Sequence, residues 1–178
     1  MMMRRHSARR LLLPMLAGLL AIACDDSPSS PQDRALEELS SAVEPLRDLA
    51  AAQNVGYEVL VTHPTNGNEC LRHPDLGAMG YHYLNPDLVD ESVAVTTPEV
   101  LIYERNAAGS YEFVAVEYIV PFAIRARDAQ PPELFGREFK QNDTFNLWAL
   151  HAWVGKDNPS GVFADYNPDV SCGVDTHP

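Results

Sequence analysis

PEVLIYERNAAGSYEFVAVEYIVP, residues 98–121, carries the clearest structural signal in the chain. Two runs rich in Val, Ile, Tyr and Phe flank the polar, glycine-containing RNAAGS at 105–110. β-Branched and aromatic residues fit a pleated, half-buried surface, and the intervening residues have turn chemistry. The stretch predicts an antiparallel hairpin of 98–104 with 111–121. Alternation along the second strand puts Phe113, Ala115 and Glu117 on one face and Val114, Val116 and Tyr118 on the other. Both faces are partly apolar, which places Glu117 in a buried position. An unpaired buried carboxylate must take up a proton or find a partner. A metal, a histidine or Arg125 would serve.

Around this hairpin the pattern is mixed. YEVLVT (57–62) is a short strand signal. FNLWALHAWVG (145–155) is apolar on both sides and reads as a buried strand or a short helix, with Trp148, Val154 and Gly155 favouring the strand. Residues 63–80, with two His-Pro steps and an Asn-Gly, read as loop, QPPELFG (130–136) as a connection, KDNPSG (156–161) as a turn, and VFADYNPDVSC (162–172) as a closing extended segment. Towards the N-terminus, Ser30-Pro31-Gln32-Asp33 has the order of a helix start: a capping Ser, Pro at the first helical position and an acid in the first turn. Leu36, Leu39, Val43, Leu46 and Leu49 then recur at steps of three and four, giving one apolar helical face interrupted by Pro45. The expected fold is α+β: an N-terminal helix or kinked helix pair packed on a mainly antiparallel sheet, with curl towards a barrel.

The first 33 residues lie outside that domain. Four arginines precede the apolar run 11–23, too short to span a bilayer, so residues 1–23 read as an export signal. Two cleavage readings stay open. Ala21-Ile22-Ala23 is an A-x-A site for a freely secreted or periplasmic protein. LAIAC (20–24) has the form of a bacterial lipobox, though with Ala21 where Leu is usual, and would lipidate Cys24 and anchor the chain in the cell envelope. Residues 24–33, rich in Ser and Pro, then form a flexible linker, and 34–178 a single domain. Cysteine number favours lipidation: with Cys24 acylated, Cys70 and Cys172 remain as a pair for a disulfide in an oxidising compartment. Without its leader the chain has nine basic and 25 acidic residues, a charge of −16, and its only lysines are Lys140 and Lys156. No basic stripe exists for nucleic acid, and an anionic membrane surface would repel the domain, leaving the lipid as its membrane contact.

AQNVGYEV, GAMGYHYLNP, PEVLIYE, VEYIVP and LHAWVGKDNPSGVFADYNPDVSC together resemble an uncharacterised family of exported bacterial proteins. The resemblance runs from about Leu49 to Cys172. It implies a compact exported domain and no established activity.

The chemistry-bearing candidates are few. His63 and His73 precede prolines in loops and His177 is in the tail, so all three are expected at the surface. His82 lies between Tyr81 and Tyr83, and His151 close to Trp148 and Trp153. A buried imidazole in such company needs a partner. Two of them converging with a carboxylate would make a His₂Glu site for a divalent transition metal such as zinc or copper. Glu117 and Glu104 are the carboxylate candidates. Met79 is a copper-type donor that on its own reads as core. Ser160 lacks a G-x-S-x-G setting and reads as a turn residue; no HExxH or CxxC pair is present. Against the metal or small-ligand reading stand a structural hydrogen-bond network in an interaction lipoprotein and, with the same cluster in an open cleft, a metal-assisted hydrolase. No residue is assigned to catalysis.

Overall fold

The computed structural model describes residues 30–173. The leader, Cys24 and His177 lie outside them.

The N-terminal helix forms as its capping residues dictate. α1 (Pro31–Val43) begins at Ser30, whose Oγ accepts from Asp33 N while Asp33 accepts from Ser30 N, a reciprocal capping box. Leu39 and Val43 are fully buried. Pro45 cannot continue the helix, and the chain passes through a 3-10 turn (Glu44–Leu46) into a short second helix, α2 (Leu49–Gln53), capped by Asp48.

Seven strands form one sheet: β1 (Val59–Leu60), β2 (Cys70–His73), β3 (Gly77–Leu84), β4 (Val100–Arg105), β5 (Tyr111–Pro121), β8 (Lys140–Asn142) and β9 (Leu147–Ala152). β6 (Glu133–Leu134) and β7 (Arg137–Glu138) make a separate small hairpin. The order is β1-β3-β4-β5-β9-β8, with β2 also on β3, and every pairing is antiparallel. The predicted hairpin is its centre, and 145–155 supplies a strand rather than a helix. The expected loop at 63–80 contains β2 and the start of β3. The expected connection at 130–136 contains β6, and residues 162–172 form turns rather than a strand, bridged to β3 at Ala78–Asn167 and bonded to the sheet through Val162 O and Ser171 O.

The sheet is not a closed barrel: β8 at one edge does not pair with β1 or β2 at the other. A bulge also corrects the alternation expected along β5. Ile102 pairs with Ala115 but Tyr103 pairs with Phe113, so Val114 is an extra residue and Phe113 turns to the face opposite Ala115. That face carries Tyr81, Tyr83, Leu101, Tyr103, Phe113, Val116, Tyr118 and Leu150, in register across four strands. It packs on the helices: Tyr103 Oη donates to Leu46 O at 2.6 Å, and the Arg47 guanidinium lies over the Phe113 ring. The bulged Val114 carbonyl accepts from both Gly155 N and Lys156 N, so it is satisfied outside the ladder.

Cys70 and Cys172 are joined in a disulfide. It closes a loop of 102 residues and ties β2 to the C-terminal segment. Among the described residues, no helix is long and apolar enough to cross a membrane.

Candidate metal centre

The second face of the sheet brings three polar side chains together from three strands. His82 stands on β3 opposite Ile102, which stands opposite Ala115. One row along, Val100 on β4 faces Glu117 on β5, and Glu117 faces His151 on β9. β3 and β9 are three strand spacings apart, about 14 Å in a flat sheet. Yet the rings of His82 and His151 lie 6.0 Å apart, edge to face. The sheet therefore curls about this face, bringing the side chains together.

His82 Nε2 is 3.7 Å from one Glu117 oxygen and His151 Nε2 is 3.6 Å from the other. Both distances exceed a hydrogen bond. The two Nε2 atoms are the only fully buried side-chain nitrogens or oxygens among the described residues that have no hydrogen-bond partner. The tautomer of His82 follows from the contact its other nitrogen makes. Its Nδ1 lies 3.1 Å from Gly80 O, and a carbonyl only accepts, so Nδ1–H donates and Nε2 holds the lone pair.

Burial sets the protonation of all three. It pushes the His82 and His151 pKa values down to about 3, His82 further through its histidine neighbour and His151 through Lys140. It pushes the Glu117 carboxyl up to about 8, with the negative charges of Asp165 and Glu99 adding to the effect. The close contacts are therefore not ion pairs at neutral pH, because the surroundings oppose charge on each member.

The geometry fits a metal. Four-coordinate zinc with bonds of about 2.0–2.1 Å puts neighbouring ligand atoms about 3.4 Å apart. His82, Glu117 and His151 offer ligand atoms all within 4.8 Å of one another. The two histidine–glutamate edges, each to a different Glu117 oxygen, exceed that spacing by about 0.2–0.3 Å, and the set as a whole must draw in further to close on one ion. A cavity of about 40 Å³, lined by His82, Glu117, Val61, Leu71, Ile119 and Phe145 among others, adjoins the cluster. It is large enough for a water or an ion. On the His151 side a larger cleft of about 280 Å³, lined also by Lys140, Asp165 and Tyr166, opens to the surface.

Glu104 does not join the cluster. It shares this face but lies four residues along β4 from Val100, about 13 Å away along the strand. There both its oxygens bind Lys156 Nζ, at 2.7 and 2.8 Å, and Oε2 accepts from Ser171 N. It anchors the C-terminal segment. Arg125 sits in the turn after β5, where its carbonyl accepts from Trp148 Nε1, and forms no ion pair with Glu117. His63 and His73 are half-buried rather than exposed. Each uses Nδ1 to accept a backbone N–H two residues on, from Thr65 and Asp75, in its own His-Pro turn. Ser160 donates its N–H to Asn158 Oδ1, as a turn residue does.

Two features went unread in the sequence. Glu99 is buried, accepts from Ile119 N at 3.0 Å, and is pushed by burial up to about 7. Its signal was an acid directly preceding an apolar strand. The Gly80 carbonyl that orients His82 has no sequence signal, since any residue has a carbonyl. No family model, curated protein or solved structure matches the chain.

Proposed function

We propose that this is an envelope lipoprotein that binds one divalent or monovalent transition-metal ion through His82, His151 and Glu117. The observation that carries the reading is the pair of buried, unpartnered Nε2 atoms converging on a buried carboxyl. Each unsatisfied buried polar atom costs about 1–3 kcal/mol, so the metal-free cluster is a poor structural network. A single ion accepts both lone pairs and supplies the positive charge that Glu117 lacks. The space on the His82 and Glu117 side, about 40 Å³, has room for an ion or a water, while the cleft on the His151 side opens to the surface as a route by which an ion can enter. Export is supported by the charged and apolar leader, the LAIAC sequence ending at Cys24, the disulfide, and the motifs resembling exported bacterial proteins.

The test is metal content. The exported protein, purified without a histidine tag and loaded with zinc or copper, is expected to hold about one equivalent. His82→Ala and His151→Ala are expected to lose it, while Glu104→Gln keeps it. A wild-type protein that stays metal-free after loading with either ion overturns the reading.

A further inference from the structure

We infer that Met79 is the fourth protein ligand and that the ion is copper, bound as Cu(I) through the thioether. This rests on the three-residue centre proposed above. In a regular β3 strand, Met79 would share the face of Tyr81 and point to the helices, away from His82. The register prevents that. Leu71 pairs with Gly80 and Arg72 pairs with Ala78, so Met79 is skipped and forms a bulge. Bulges re-aim side chains and recur beside functional sites. Gly80 makes this one feasible. Its φ of +107° is open to glycine, and a Cβ there would lie 2.6 Å from Tyr103 O. As a result, Met79 lines both the small cavity of His82 and Glu117 and the cleft of His151.

One other residue lines both spaces, Asn142, and its side-chain oxygen already accepts from Phe145 N at 3.3 Å. Met79 is therefore the soft-donor residue that borders both the space of His82 and that of His151. It is buried and its sulfur is a soft donor. Thioethers favour Cu(I), imidazoles bind copper in both oxidation states, and the carboxylate suits Cu(II). The bulge thus adds a soft donor to a general His₂Glu site and biases it towards Cu(I).

Met79→Leu keeps the side-chain volume and removes the sulfur. Wild type and variant are titrated with Cu(I), kept reduced by ascorbate, and with Zn(II), and the Cu(I) forms are examined by X-ray absorption. The expected result is a loss of at least tenfold in Cu(I) affinity in Met79→Leu, with Zn(II) affinity unchanged. A sulfur neighbour of copper should be present in wild type and absent in the variant. Equal Cu(I) affinity, or no sulfur neighbour in wild type, overturns the role of Met79 and leaves the three-residue centre standing. Failure of wild type to bind either ion overturns both.

Discussion

Glu117→Gln in the metal-free protein gives a direct reading of the buried carboxyl. The ordinary glutamate pKa is 4.5, and burial on β5 raises it to about 8 in the folded chain. Between these values the folded state holds one proton more than the unfolded state. Its contribution to stability is fully present below pH 4.5 and is lost as pH rises through 8. The histidines act in the opposite sense. Their folded pKa values of about 3 lie below the ordinary 6.5, so their contribution is present above pH 6.5 and lost as pH falls towards 3. From pH 6.5 to 8 the glutamate effect is about 1.4 kcal/mol per pH unit, or about 2 kcal/mol in all. Glutamine mimics the protonated acid but cannot titrate, so subtracting the variant's profile removes the histidines and Glu99 from the comparison. Urea unfolding with a chelator present, at both pH values, measures this. With an m-value near 2 kcal/mol/M, the wild-type midpoint should fall by about 1 M relative to the variant. Parallel profiles for the two proteins would falsify the neutral, buried state of Glu117.

Other perturbations probe the frame and the tether. Reducing the Cys70–Cys172 bridge should lower stability by about 4–5 kcal/mol on the chain-entropy model, given its loop of 102 residues, seen as a drop in urea midpoint. A midpoint unmoved by reduction would refute its structural weight. Glu104→Gln should cost about 1–2 kcal/mol, since Lys156 is partly exposed and can rehydrate, measured by thermal unfolding. Cys24→Ala should abolish incorporation of radiolabelled fatty acid and release the protein from the membrane fraction; labelling that persists in the variant refutes lipidation at that position.

Much of the frame is legible in the residues. The hairpin at 98–121, the capped helix start at Ser30 and the β9 strand each follow from local composition and spacing, because propensity, capping and alternation act over a few residues. The short strands β2, β6, β7 and β8 were not legible. Each has two to four residues, too few to show a period, and each exists because a neighbour offers hydrogen bonds. The two bulges were equally hidden. A strand's register depends on its partner, so the turning of Phe113 and the skipping of Met79 follow from pairing alone.

His82, His151 and Glu117 stood out in the sequence as polar residues in apolar strands, and the three cysteines pointed to the Cys70–Cys172 pair. Residue chemistry and local pattern suffice for such nominations, since burial of an ionisable group has an energetic consequence wherever it falls. Folding supplied the selection among them. Curling of the sheet brought histidines from strands three apart onto one carboxyl. The same sheet carried Glu104 to Lys156, about 13 Å along the strand from the row of Glu117. Distance between residues far apart in the chain depends on strand order, register and curvature, and none of these is a property of any short stretch of residues.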